Sequence, residues 1–123
     1  MAYIRSLEEN GLFVSRHSGE VFIYDFMLIL LDLNDKFKSE YLKEIIIFPN
    51  GCDLDISFLN ARAFVFEMER LLYSLPPGYL AFVAQSDIAF GTCRQLQIQL
   101  ESEIVRLRVF RTEFEARKWI HAP

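Results

Sequence analysis

Cysteine, histidine and tryptophan are scarce in this sequence, which holds two, two and one of them in 123 residues. Cys52 and Cys93 make no disulfide framework, and we interpret them as buried thiols of a cytoplasmic protein. His17 and His121 lie far apart and share no ligand spacing with the cysteines, so no zinc site is expected. We interpret His17, which falls near a strand end, as a surface histidine.

Long apolar runs and catalytic signatures are also missing. The longest apolar run, residues 26–31, is far shorter than the roughly 20 residues that cross a bilayer, so no membrane span is expected. Arg5 and Glu8 interrupt the apolar start, so no signal peptide is expected either. The chain contains no G-x-S-x-G elbow, no P-loop and no dinucleotide-binding glycine pattern, so neither an enzyme nor a cofactor is favoured.

The charge balance argues against nucleic acid as a partner, because the net charge is −4. The charge is uneven, since residues 1–93 hold 7 Lys/Arg against 13 Asp/Glu and residues 94–123 hold 6 against 4. A solvated surface accounts for this imbalance. Hydrophobic residues make up 52% of the chain, which supplies ample material for a core, and the length predicts a single domain over residues 1–123.

Five segments show strand patterns. An Asn-Gly pair at 10–11 between two alternating segments predicts an antiparallel hairpin at the start of the chain. Residues 44–49 and 79–84 are apolar on both faces, which is typical of strands in a parallel sheet. In 105–109, apolar residues alternate with Arg106 and Arg108, which predicts a strand with one wet or edge-like face.

Four segments show helix patterns. Residues 21–33 are almost wholly apolar, and Ser57 is a plausible N-cap for a second helix that ends before Pro76, after the turn-like stretch 50–57. Ser86 or Asp87 caps a third helix with the inner stripe Ala89, Cys93, Leu96 and Leu100; its Gly91 suggests a close backbone approach. Thr112 and Glu115 form a capping box for the last helix, in which we interpret Trp119 as a core residue.

The resulting order is ββαβαβαβα. Strands that alternate with helices predict an α/β fold with a mixed, mainly parallel five-stranded sheet, an N-terminal hairpin and about four helices.

That order and several short motifs resemble the SpoIIAA-like or STAS-like domains, small bacterial α/β proteins related to the anti-sigma-factor antagonists. The motifs are NGL (10–12), SG (18–19), DLDISF (53–58), AFG (89–91) and VFRTEFEARKWI (109–120). The resemblance implies a SpoIIAA-like fold and a protein that binds partners. In the antagonists a serine that opens the helix after the central strand is phosphorylated, and Ser57 is the nearest position here, without the Asp-Ser-Ser-Gly type of signature.

The carboxyl edge of the predicted sheet is the expected place for a ligand, because ligands of open α/β sheets bind outside the carboxyl ends of parallel strands. Residues expected there are Asn50, Gly51, Asp53, Asp55, Ser57, Gln85, Ser86, Asp87, Arg111 and Thr112. Together they could hold a cation or a small polar ligand. Turn formation and helix capping explain the same residues, so both interpretations stay open.

The first predicted helix suggests a homodimer. Phe22, Leu28 and Ile29 lie beside Asp25 on the side that a surface helix normally keeps polar. Such an apolar patch is rarely left exposed, and a two-fold partner would cover it. Cover from the same chain is the alternative.

Three functions compete. A non-enzymatic binding or regulatory module with a protein partner is favoured. A carrier of a small apolar ligand such as a lipid is the alternative, because twelve phenylalanines suit an apolar pocket as well as a dense core. A small hydrolase that uses Ser86 or Cys93 is the least favoured.

Overall fold

The computed structural model describes residues 2–8, 11–22, 42–55, 70, 77–100 and 105–121. Seven strands and two helices lie within these ranges. They are β1 (Ala2–Leu7), β2 (Phe13–Ser18), β3 (Glu20–Phe22), β4 (Leu42–Phe48), β5 (Asp53–Asp55), β6 (Gly78–Ala84), α1 (Asp87–Leu100), β7 (Val105–Phe110) and α2 (Glu113–Ile120).

The main sheet has the strand order β1-β2-β4-β6-β7. β1 pairs with β2 antiparallel, whereas β2–β4, β4–β6 and β6–β7 are parallel. The turn between β1 and β2 includes Gly11 with φ +75°, and the Glu8 amide donates to the Leu12 carbonyl at 2.7 Å. The predicted mixed five-stranded sheet with its N-terminal hairpin is therefore confirmed.

β4 and β6 occupy the middle of the sheet because their side chains are apolar on both faces. The buried residues of these two strands are Glu44, Ile45, Ile46, Ile47, Phe48, Leu80, Ala81, Phe82, Val83 and Ala84. β7 lies at the end of the sheet, with Leu107 buried and Arg106 and Arg108 exposed. The edge-like strand predicted from its alternation is thus confirmed.

Helix α2 covers one face of the sheet. The buried cluster on that face consists of Leu12, Val14, Ile45, Ile47, Ala81, Val83, Ala116 and Ile120. Trp119 packs at its margin, with its ring 5.2 Å from Tyr79 and 5.7 Å from Phe110 between centroids. These contacts confirm Trp119 as a residue that closes the core.

Helix α1 packs over β6 and β7 with Ala89, Cys93 and Leu96 buried. Since neighbouring residues of a strand point to opposite faces, His17 lies on the face opposite Val14. Its side chain is only 1% exposed. Its ring lies 5.2 Å from Phe48 between centroids, and the interpretation of His17 as a surface histidine is wrong because this second face is covered too.

Two short strands were not predicted. β3 pairs in parallel with β5 and forms a separate two-stranded sheet. The predicted first helix therefore does not begin at Val21, and the stretch 50–57 is more than a turn. The rest of the first two predicted helices lies outside the described residues except Arg70, which is helical.

A cluster of four charged residues joins α2 to the hairpin, and we name it the charge clasp: Glu8, Arg16, Glu113 and Arg117. Arg117 donates to both carboxylate oxygens of Glu8 at 2.7 Å and through Nε to Glu113 at 2.7 Å. Arg16 donates to both oxygens of Glu113 at 2.7 and 3.2 Å. The first turn and the last helix are therefore held together by charge-assisted hydrogen bonds.

The clasp shifts the ionisation of its members. The hydrogen bond from Arg117 lowers the pKa of Glu8, and the hydrogen bonds from Arg16 and Arg117 lower the pKa of Glu113. The same bonds raise the pKa of Arg117. All four groups are therefore charged near neutral pH.

Candidate functional site

The carboxyl ends of β4, β6 and β7 bring polar residues together at one edge of the sheet. Phe48 lies opposite Ala84, and Val83 lies opposite Phe110, so the residues that follow these strands meet. We name the polar edge by its five members: Asn50, Gln85, Ser86, Asp87 and Arg111. Its position is the one at which ligands bind open α/β sheets.

Gln85 connects two loops of the polar edge. Its backbone amide donates to the Phe48 carbonyl at 3.2 Å, and its side-chain oxygen accepts from the Asn50 amide at 3.0 Å. Asn50 belongs to a turn in which the Cys52 amide donates to the Pro49 carbonyl at 3.0 Å. The Gln85 side chain is therefore committed to holding the loop after β4.

Arg111 links the end of β7 to the start of α1. Its guanidinium donates to the Gln85 carbonyl at 3.3 Å, lies 2.8 Å from an Asp87 oxygen and stacks 4.2 Å from the centre of the Phe90 ring. The side chains of Arg111 and Asp87 remain 43% and 93% exposed. An ion pair this exposed contributes little stability, so both groups are accessible to a partner.

Ser86 and Cys93, the candidate nucleophiles, are engaged in structural roles. The Ser86 hydroxyl accepts from the Ala89 amide at 3.1 Å and caps α1, as predicted. Burial raises the pKa of the Cys93 thiol, whose side chain is 0% exposed. A buried thiol with a raised pKa is inert, and this argues against Cys93 as a nucleophile.

Three further residues were predicted for this edge: Asp53, Asp55 and Ser57. Asp53 and Asp55 lie in β5, where Asp55 is paired with Phe22 of β3. Ser57 lies outside the described residues. No three metal-ligating side chains gather anywhere in the described ranges.

The predicted dimer patch is not assembled on one helix. Phe22 belongs to β3, and the other three candidates, Asp25, Leu28 and Ile29, lie outside the described residues.

Two exposed apolar side chains at the starts of the two described helices were not predicted from the sequence. Ile88 and Phe114 are 78% and 71% exposed, and each is the second residue of its helix. Ile88 falls off the inner stripe of α1 that contains Ala89 and Cys93, which is the signal that would have indicated its exposure. A single exposed Phe or Ile on a protein surface is ordinary. Here two such residues open the helices that follow the neighbouring strands β6 and β7.

Comparisons with known proteins support the fold and leave the activity open. No model of a known protein family matches the chain, and no curated protein matches it in sequence. Among solved structures, it is similar to an uncharacterised protein of the DUF3478 family with a SpoIIAA-like fold from Shewanella loihica PV-4. The likeness has a TM-score of 0.57 and 11% sequence identity over 97% of this chain and 92% of the other. The chain therefore has a SpoIIAA-like fold.

No helix within the described ranges combines the length and the apolar character that crossing a bilayer requires.

Proposed function

We propose that this protein is a non-enzymatic binding or regulatory module whose protein partner docks at the polar edge. The observation that carries the proposal is the exposure of Ile88 and Phe114, 78% and 71%, close in the chain to Asp87 and Arg111, which are also exposed. Apolar residues next to an arginine are typical of the parts of an interface that contribute most to binding. The SpoIIAA-like fold adds the expectation, from the antagonist proteins, that partner binding is the activity.

The alternative of a hydrolase is weaker. Ser86 Oγ is occupied as a helix cap, and Cys93 is fully buried. Within the described residues, His17 is hydrogen-bonded to the hydroxyl of Ser15 at 3.2 Å, and both residues are only 1% exposed. A pair this buried is closed to a substrate, so the described residues give no support to a nucleophile activated by a histidine.

Site-specific cross-linking tests the proposal. A photoreactive phenylalanine analogue is placed at position 88 or 114, and in a control at position 98, because Ile98 is equally exposed, 75%, at the other end of α1. We expect one defined cross-linked protein from positions 88 and 114 and none from 98. Arg111→Ala should reduce that product, because it removes the ion pair and the stacking on Phe90.

Identical products from all three positions, or no product from 88 and 114, would contradict docking at the polar edge. Native mass spectrometry of the purified protein then separates the remaining alternatives. A dimer mass would favour the homodimer predicted from Phe22, Asp25, Leu28 and Ile29. A bound mass that is lost on denaturation would favour the carrier of an apolar ligand.

A further inference from the structure

The edge strand β7 carries two neighbouring arginines, Arg106 and Arg108, that form no ion pair with a carboxylate of the described residues. Arg106 and Arg108 are exposed and lie opposite Tyr79 and Ala81 of β6. Alternate residues of a strand share one face, so both guanidinium groups emerge on the same side of β7. Arg108 lies 5.9 Å from the centre of the Trp119 ring, which places this side next to α2.

These two arginines differ from three others in the described part of the chain. Arg16, Arg111 and Arg117 each pair with a carboxylate. Within the described part of the chain, neither Arg106 nor Arg108 does so, although the protein carries a net charge of −4. Two adjacent positive charges are therefore left for a group outside the chain, or for solvent.

We propose that β7 binds an extended acidic segment of a partner protein, with Asp or Glu at alternate positions. Alternate residues on a strand are about 6.6 Å apart, so residues i and i+2 of an extended peptide have the same backbone spacing as Arg106 and Arg108. Opposite charges that face each other on neighbouring strands stabilise the pairing. Arginine and carboxylate also form strong, directional hydrogen bonds.

The surroundings of the arginines suit such a partner. Tyr79 and Trp119 are half-buried and contact each other at 5.2 Å in an edge-to-face arrangement. Their accessible portions provide a rigid apolar border for the side chains that flank the carboxylates, and Trp, Tyr and Arg are enriched in protein interfaces. We name this surface, Arg106, Arg108, Tyr79 and Trp119, the β7 patch.

The simpler interpretation is that the arginines only keep the edge strand from pairing with other chains, which charged residues commonly do. The two interpretations differ in one respect. A protective charge has no preference for the spacing of acidic groups, whereas the β7 patch requires alternation. The residues of the patch also differ from those of the polar edge, so the two proposals succeed or fail separately.

Two synthetic peptides test the proposal against the purified full-length protein. One is a fluorescent ten-residue peptide in which glutamate alternates with threonine. The other has the same composition with the sequence EETTEETTET, in which no two glutamates lie two positions apart. We expect the alternating peptide to bind roughly five-fold more tightly, the difference that about one favourable cross-strand ion pair makes. Fluorescence anisotropy at fixed ionic strength measures both affinities.

Charge reversal identifies the surface. Arg106→Glu and Arg108→Glu should each weaken binding of the alternating peptide by about ten-fold, because an attraction becomes a repulsion. Arg94→Glu is the matched control, since Arg94 is exposed on α1 and donates to Gln97 at 2.9 Å. It changes the net charge equally and should alter the affinity less than about two-fold.

Three results would overturn the proposal. Equal affinity for the two peptides would mean that binding is a general attraction between charges. An equal loss of affinity in Arg94→Glu and in the two β7 variants would mean the same. No binding of the alternating peptide up to about 1 mM would remove the patch as a binding surface. Binding to vesicles that contain phosphatidylserine, lost with Arg106→Glu and unmatched by either peptide, would identify a membrane surface instead.

Discussion

Arg117 and Glu8 lie 109 positions apart in the chain, and their side chains form a bidentate ion pair with both nitrogen–oxygen distances at 2.7 Å. The pair joins the last described helix, α2, to the turn that follows the first strand. It is also connected to Glu113, which accepts from Arg117 and from Arg16. The charge clasp is therefore a long-range contact of the fold, although three of its side chains are about one-third exposed and that of Arg16 is 51% exposed.

Replacing Arg117 tests how much the clasp stabilises the protein. Arg117→Met keeps most of the apolar stem but removes the ion pairs to Glu8 and Glu113. We expect a loss of about 1 kcal/mol in the free energy of unfolding, since partly exposed pairs contribute modestly and a bidentate network contributes more than a single pair. Urea titration measures this loss. The control is Arg94→Met, which should change the free energy of unfolding by less than about 0.5 kcal/mol. Equal effects of both substitutions would show that the clasp adds nothing specific.

The clasp also predicts an acid dependence of stability. The folded protein holds the pKa of Glu8 and of Glu113 below the usual value of 4.5, so the unfolded chain binds protons more tightly at these sites. Their contribution is complete above about pH 5 and is lost as the pH falls through the folded pKa values. The wild-type urea midpoint should therefore fall more steeply between pH 5 and about pH 3 than that of Arg117→Met. If the urea midpoints of the two proteins fell in parallel with pH, the acid dependence of stability would not arise from the clasp.

Gly91 and Gly51 should respond to alanine in opposite ways. A Cβ added at Gly91 meets nothing within 4 Å, so the expected close backbone approach is absent from the described part of the chain. Gly91→Ala should raise the free energy of unfolding by about 1 kcal/mol, the helix-propensity difference. Gly51 has φ +88°, a conformation that alanine adopts only with strain. Gly51→Ala should therefore lower the free energy of unfolding by about 1 kcal/mol. A destabilised Gly91→Ala would point to a neighbour that the described residues do not include.

Trp119 and Phe114 provide a test of burial within one helix. Trp119→Ala removes the contacts with Tyr79 and Phe110 and should cost about 2–3 kcal/mol, less than a fully buried tryptophan. Phe114→Ala, at a position 71% exposed, should cost less than about 0.5 kcal/mol. Thermal unfolding of both variants measures the difference. A similar loss of stability in both variants would mean that the packing of Trp119 against the core does not stabilise the protein.

The main sheet was predictable because its signals are strong and local. The continuous apolar stretches around Ile46 and Phe82 are typical of strands covered on both faces. The capping pair of Thr112 and Glu115 marked the start of α2, and the Glu115 amide indeed donates to the Thr112 hydroxyl at 3.2 Å. Turns and helix caps depend on hydrogen bonds between residues at most four positions apart, so a short stretch of sequence is enough to predict them.

β3 and β5 could not be predicted in the same way. Three residues are too few to show a period of two, and Val21 and Phe22 run directly into a longer apolar segment that imitates a helix. Asp53 and Asp55 alternate with a single leucine, which carries no more information than a polar turn. These two strands pair with each other although they lie more than 30 positions apart, and no pattern within either segment predicts that pairing.

His17 shows the same limit for burial. Ser15 and His17 are polar residues that share one face of β2, which indicates a solvent-exposed face. In the structure both are 1% exposed, so that face is buried although its residues are polar. The polar edge was predicted through Gln85, Ser86, Asp87 and Arg111, since the ends of parallel strands fix their positions; the exposed Ile88 and Phe114 were not, because exposure depends on what packs nearby.

The order of strands in the main sheet has a consequence for how the chain folds. Apart from the short strands β3 and β5, every strand pairs with the one that precedes it in the chain, so the sheet can grow by addition as the polypeptide lengthens during synthesis. The clasp cannot form in that way, because Arg117 and Glu8 must meet across 109 positions, and loop closure of that length slows folding. We therefore expect the arrival of α2, whose Ala116 and Ile120 complete the buried cluster on one face of the sheet, to be a late step in folding.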